Sequence, residues 1–228
     1  MEIIKLIDVH KDYFLASGIK VPALKGISLT IKKGEFISIT GPSGSGKSTL
    51  MHIIGCLDTP TKGKVYFKGK NVARLSDSEL SKIRRKEIGF VFQQFNLIPK
   101  LNLIENVALP LLFDGVPRKR RISRAVELLK MVGLEKRMYH KPNEISGGEM
   151  QRTAIARALA NNPSLILADE PTGNLDSKTG KQIMDLFKKI NQEFKKTIVV
   201  VTHEKEVSAY AKRKIYLKDG KILSSKKG

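Results

Sequence analysis

One stretch constrains this chain more than any other. Phe36-Ile37-Ser38-Ile39-Thr40 has the composition of a buried strand, and Gly41-Pro42-Ser43-Gly44-Ser45-Gly46-Lys47-Ser48 follows it without a gap. The spacing then predicts a helix over Thr49–Leu57. A strand, a glycine-rich loop of the form G-x-x-x-x-G-K-[ST] and a helix make up the context in which such a loop cradles phosphate groups. Glycines at 41, 44 and 46 let backbone N–H groups turn inward with no Cβ in the way. The helix start adds partial positive charge. Lys47 is expected to reach the β- and γ-phosphates of a nucleotide, and the Ser48 hydroxyl to ligate Mg²⁺. An α/β core follows from the same context.

Three further apolar runs end in chemistry. Leu165-Ile166-Leu167-Ala168 leads into Asp169-Glu170, two carboxylates at the end of a strand whose unbroken apolar run implies burial on both faces. Asp169 fits a residue that holds Mg²⁺ through water, and Glu170 a base that polarises an attacking water. Ile198-Val199-Val200-Val201-Thr202 ends at His203, and Ile88-Gly89-Phe90-Val91-Phe92 ends at Gln93. In parallel α/β sheets the ligand crevice lies outside the carboxyl ends of the strands. The four strand ends are therefore expected to converge on one site.

Composition sets the bounds on other readings. With 228 residues, 41% hydrophobic and 28% charged, the chain fits one large domain of ordinary globular composition. No apolar run approaches the ~18 residues that span a bilayer, and Met1–Lys5 lacks a signal-peptide layout. A cytosolic protein with no direct membrane insertion is expected. The single cysteine, Cys56, excludes a disulfide framework and a cysteine-rich metal site. A net charge of +20 admits nucleic acid, an anionic membrane surface or a lysine-rich solvated surface as its reason. The clusters Arg84–Lys86, Arg118–Arg121 and Lys226–Lys227 are scattered and carry no interleaved aromatics.

Short strands are predicted at Ile3–Val9, Ala23–Ile31, Lys64–Phe67, Lys214–Leu217 and Lys221–Leu223, the last two joined by the Asp219-Gly220 turn. From about 96 to 162 the pattern turns helical, with helices expected over Arg124–Met131 and Gly147–Ala160. This predicts a helical subdomain, about 96–162, inserted in a core formed by about 1–95 and 163–228.

Between Gln93 and Asp169 lies Ile145-Ser146-Gly147-Gly148-Glu149-Met150-Gln151-Arg152, which resembles the signature motif of ABC ATPases, usually LSGGQ. The resemblance extends over nearly the whole chain. It takes in the P-loop, Gln93 as the Q-loop residue, Asp169-Glu170, Asp176 of the D-loop and His203 as the H-loop residue. Tyr13 falls where the family places an aromatic that stacks on adenine. Segments such as Ile88–Pro99 and Gly173–Ser177 are most similar to the subgroup for lipoprotein release, macrolide export and cell division.

The resemblance implies a P-loop NTPase core with a mostly parallel sheet, an N-terminal antiparallel β subdomain and the inserted helical subdomain. It implies ATP and Mg²⁺, with Ser48, Gln93 and Asp169 at the metal and Lys47, Gln93, Glu170 and His203 in hydrolysis. The nucleotide would be held by Tyr13, residues Gly41, Pro42, Ser43, Gly44, Ser45, Gly46, Lys47, Ser48 and Thr49, and a second copy's Ser146, Gly147, Gly148, Glu149 and Asp176. The implied partners are a transmembrane permease subunit and an ATP-dependent second copy of the chain, at the inner face of the cell membrane.

A soluble ABC ATPase acting on nucleic acid is the rival reading that the charge invites. It is disfavoured because only about a hundred residues separate P-loop and signature, with no sustained heptads. Glu149 stands where glutamine is common and has two possible destinations. It either caps its own helix through the Ser146-x-x-Glu149 box or faces the nucleotide and repels it.

Overall fold

The computed structural model describes residues 1–16 and 18–227, without the Lys227 side chain. Two sheets organise it. Strands β1 (Glu2–Phe14), β2 (Lys20–Lys32), β4 (Lys62–Phe67) and β5 (Lys70–Asn71) form an antiparallel sheet in the order β2-β1-β4-β5. A six-stranded sheet has the order β10-β9-β3-β8-β7-β6. It comprises β3 (Phe36–Thr40), β6 (Ile88–Val91), β7 (Leu165–Asp169), β8 (Thr197–Val201), β9 (Arg213–Lys218) and β10 (Lys221–Lys227). All its pairings are parallel except the β9–β10 hairpin at one edge.

The helices are α1 (Lys47–Ile54), α2 (Asp77–Glu87), α3 (Leu103–Phe113), α4 (Arg118–Met131), α5 (Gly147–Ala158), α6 (Ser177–Phe194) and α7 (Lys205–Ala209). The central strands β3, β7 and β8 are buried along almost their whole length, as continuous apolar runs require. One face of the large sheet shares a core with α3, α4, α5 and α6, including Phe36, Ile166, Val200 and Phe187. The opposite face packs α1 and the antiparallel sheet, through Ile37, Leu167, Val199, Ile53 and Ile4. No helix among the described residues is long and apolar enough to cross a membrane.

Several elements differ from their sequence-based bounds. Strands β1 and β2 run to 13 residues each, beyond the apolar cores at Ile3–Val9 and Ala23–Ile31. Register shifts along the pair break the alternation that would have marked the extra length. Helix α4 begins at Arg118, six positions before its first expected residue, because Pro117 at its N-cap presets φ at −54°. Helix α1 stops at Ile54, where Gly55 and the left-handed Cys56 (φ 54°) turn the chain.

Asn106 of α3 is a polar residue with no exposed surface. Its Oδ1 accepts from Ile98 N at 2.8 Å. Its Nδ2 donates to the carbonyls of Ile98, Leu101 and Asn102 at 3.0–3.1 Å. It thereby fixes the loop between β6 and α3, and removing it strands a buried amide and several carbonyls. Asn106→Ala is expected to lower unfolding stability by about 3 kcal/mol in urea titration, with the ends of that loop losing hydrogen-exchange protection.

Candidate functional site

The loop after β3 owes its path to close approaches that exclude any side chain. A Cβ on Gly41 (φ 154°) would lie 2.0 Å from the Leu217 carbonyl oxygen, and one on Gly46 (φ 96°) 2.5 Å from that of Ala23. The loop is tied to the β9–β10 hairpin by Gly220 N donating to Ser45 O at 3.1 Å. The same glycine's carbonyl accepts from Lys25 N at 2.8 Å. Unlike α2, α3, α5 and α6, helix α1 starts without a side-chain cap. Its first N–H groups are thus open to an anion. The buried Ser45 hydroxyl has no partner among the described residues, while Pro42, Ser43, Gly44 and Ser48 are exposed. Lys47 folds over the loop, its Nζ donating to the carbonyls of Gly41 (3.0 Å) and Pro42 (2.9 Å).

Strands β3, β8 and β7 are neighbours, so their carboxyl ends lie side by side. Burial holds the Asp169 carboxyl above the usual aspartate range; the Glu170 carboxylate raises it further, opposed by His52 and Lys47. Glu170 adopts a left-handed φ of 43°, and its N–H donates to Val201 O at 2.9 Å. Its Oε1 lies 2.9 Å from His203 Nδ1. Since a carboxylate only accepts, Nδ1 carries the hydrogen. The other oxygen, Oε2, is buried and has no partner among the described residues. The His203 side chain is 70% exposed, and its hydrogen bond to Glu170, reinforced by that residue's charge, raises its pKa.

A half-buried acid beside a second acid, one oxygen of which has no partner among the described residues, is a set suited to a cation. Among the described residues no three His, Cys, Asp or Glu side chains are placed to hold a metal ion by themselves. Mg²⁺ fits such a sparse set, since it is usually held by one or two carboxylates together with substrate phosphates and water.

The remaining expected residues fall into three places. Tyr13 stands near α1: its hydroxyl donates to Asp58 Oδ2 at 2.9 Å, and partial burial, assisted by Asp58 and opposed by a hydrogen bond with Thr49, raises its pKa. Lys11 lies 5.0 Å from the tyrosine ring centroid and bonds Asp58 Oδ1 at 2.5 Å. Gln93 is turned to the segment after Glu170, its Nε2 donating to Asn174 Oδ1 (3.2 Å) while Asn174 Nδ2 returns a bond to Gln93 O (3.0 Å).

Ser146, Gly147, Gly148 and Glu149 begin α5, and Asp176 caps α6 by accepting from Thr179 N at 3.0 Å. Ser146 and Glu149 form a capping box in which Glu149 Oε2 accepts from Ser146 N and Oγ, both at 2.9 Å. Of its two possible destinations, Glu149 takes the cap. No hydrogen bond joins this segment to residues 41–48 among the described residues.

Two residues of the site region were not anticipated. Asn174 lies in the Gly173–Ser177 segment that carries the resemblance, but nothing in the sequence marks it as the partner of Gln93. Gln151 is fully buried and donates to Pro171 O at 2.6 Å and Phe92 O at 3.5 Å. It links α5 to the ends of β6 and β7, and its burial beside an apolar helix face was not marked by periodicity.

A family model described as ABC transporter matches residues 24–173. An uncharacterized ABC transporter ATP-binding protein from Methanocaldococcus jannaschii, MJ0796, is 58% identical over 98% of this chain and 97% of its own. The lipoprotein-releasing system ATP-binding protein LolD of Aquifex aeolicus is 54% identical over 88% of this chain and 89% of its own. Among solved structures, a dimeric post-hydrolysis state of the MJ0796 cassette bound to ADP and Pi superposes with a TM-score of 0.89 at 56% identity, covering 98% of both chains.

The Glu170–His203 bond carries a direct check. A proton on His203 is stabilised by the neighbouring carboxylate, so the charged pair persists until pH rises through the raised histidine pKa. NMR titration should place the His203 midpoint above the ordinary histidine range in the native protein. In Glu170→Gln it should fall back toward that range.

Proposed function

The chain belongs to the ABC transporter family, as its ATP-binding, ATP-hydrolysing subunit, and we propose that two copies close around ATP and reopen on hydrolysis to drive a membrane permease. The observation that carries this reading is the junction of the glycine loop, Asp169 and the Glu170–His203 pair at three adjacent strand ends.

ATP enters over the uncapped start of α1. Lys47 exchanges the carbonyls of Gly41 and Pro42 for β- and γ-phosphate oxygens, and the loop N–H groups and Ser45–Thr49 complete the cradle. Tyr13 offers its ring to the adenine. Ser48 and Asp169 would hold Mg²⁺, with Gln93 Oε1 as a further donor. That ion would offset triphosphate charge and polarise the γ-phosphoryl group.

Glu170 takes a proton from water as the water oxygen bonds to the γ-phosphorus. The bond from that phosphorus to the bridging oxygen breaks and ADP leaves with the electron pair. His203, oriented through Nδ1 by Glu170, presents its other nitrogen to the γ-phosphate. Ser146, Gly147, Gly148 and Asp176 meet the nucleotide of the second copy. The dimeric structure of the MJ0796 cassette bound to ADP and Pi supports this pairing. ATP therefore binds the closed pair better than ADP does, and that difference drives the conformational change.

The permease is expected at a groove of about 620 Å³ lined by Leu57, Phe90, Phe92, Leu109, Phe113 and Arg84. Phe113 is 67% exposed there, an apolar side chain that a partner would cover. The groove adjoins the segment leading to Gln93, which would let the permease sense the nucleotide. Such docking places the subunit against the inner face of the membrane.

Glu170→Gln should retain ATP binding while turnover falls about 10²–10⁴-fold. Gel filtration of this variant should give a dimer with MgATP and a monomer without. Unimpaired turnover would refute the role given to Glu170.

A further inference from the structure

Ser146 has two demands on one hydroxyl proton. In the capping box its Oγ donates to Glu149 Oε2 at 2.9 Å and accepts from Glu149 N at 3.4 Å. A hydroxyl bound to a carboxylate makes a charge-assisted bond. To donate to a phosphate oxygen of a second chain's ATP, Ser146 must surrender that bond. The Glu149 charge would meanwhile face the incoming polyphosphate at short range.

The carboxylate is not left alone. Its other oxygen, Oε1, lies 3.4 Å from Arg137 Nε, and the Glu149 side chain is 19% exposed against 50% for Arg137. Arg137 ends the short 3-10 helix Glu135–Arg137. It is fastened at the backbone by its N–H to Leu134 O (3.0 Å) and by its carbonyl to His140 N (2.9 Å). Its Nη1 also lies 3.3 Å from His140 Nε2. The other two acids of this stretch are occupied, Glu144 with Lys141 N at 2.6 Å and Glu135 with Lys130 Nζ at 2.9 Å. The Glu149 carboxyl is held below the usual range first by the Ser146 backbone bond, with the Ser146 hydroxyl, Arg137 and then Arg152 assisting.

We propose that Arg137 is a positioning residue for ATP-driven pairing: by binding Glu149 Oε1 it offsets the carboxylate charge and weakens its hold on the Ser146 hydroxyl, freeing Ser146 to donate to the partner's γ-phosphate. The inference rests on the paired-chain reading above. It assigns Arg137 no contact with the nucleotide and no part in the P-loop. Its effect exists only while residue 149 is a carboxylate. With glutamine at 149 the cap survives, since Glu and Gln serve equally at that position, and the charge that Arg137 answers is gone.

The test is a double-mutant cycle in the Glu170→Gln background, reading the MgATP-dependent monomer–dimer equilibrium by sedimentation. Arg137→Ala is expected to weaken the dimer about tenfold, and Arg137→Lys, which restores a charge, to recover part of the loss. Adding Arg137→Ala to Glu149→Gln should change the dimer constant by less than about twofold. ATP affinity of the monomer should be equal in all variants. Thermal melts check folding, and Arg137→Gln, which keeps the side-chain stem, replaces the alanine variant if that one unfolds. A dimer unaffected by Arg137→Ala, or a loss that persists undiminished with Glu149→Gln, overturns the proposal while leaving the paired-chain reading intact. If the Glu170→Gln parent itself fails to pair with MgATP, the paired-chain reading fails and takes this inference with it.

Discussion

Two backbone hydrogen bonds hold the chemistry of this protein together. Thr202 N donates to Ile39 O at 3.1 Å, and Glu170 N donates to Val201 O at 2.9 Å. They extend the parallel ladders in which Ile39 pairs with Val201 and Asp169 pairs with Val201. The start of the glycine loop, the two acids and His203 are thus set by one register. A slip of one residue would turn every side chain to the opposite face, which strands buried on both faces between two cores forbid. The left-handed backbone of Glu170, a conformation that costs about 1–3 kcal/mol, is held by its bonds to Val201 and His203.

The same strand ends are wired to the helices on one face. Gln151 reaches from α5 to the carbonyls of Pro171 and Phe92. Arg157 of the same helix grips the carbonyls of Phe95 (2.9 Å) and Asn96 (2.5 Å), both left-handed residues just past Gln93. A shift in Glu170 or Gln93 therefore meets a rigid helix whose first turn carries Ser146 and Glu149. That mechanical link runs through buried polar groups, which are costly to leave unpaired. It gives a physical route between these strand ends and the groove lined by Phe90, Phe92 and Phe113.

Much of this was legible in the sequence because buried parallel strands leave an unmistakable mark. Apolar runs ending at Gly41, Gln93, Asp169 and His203 predicted four strand ends at one place, and the sheet sets those four strands side by side in the order β3-β8-β7-β6. The hairpin at Asp219-Gly220 was equally plain. Helices α2 and α6 were not anticipated, although Ser76-x-x-Glu79 is a capping box that the structure uses. The long strands β1 and β2 were shortened because polar residues such as Lys11 and Asp12 interrupt the alternation. Side-chain partnerships between distant segments left no sequence signal at all: Gln93 with Asn174, or Arg137 with Glu149, depend on how loops pack rather than on spacing.

The central claim is that each hydrolytic site is assembled from the P-loop of one chain and Ser146 of another. Mixing two inactive variants, Lys47→Ala and Ser146→Arg, tests it most directly, because a mixed pair contains one site with both intact halves. The account predicts that each variant alone is inactive and that the mixture regains ATPase activity. A mixture no more active than its components, or a Ser146→Arg protein that hydrolyses ATP normally by itself, would contradict it.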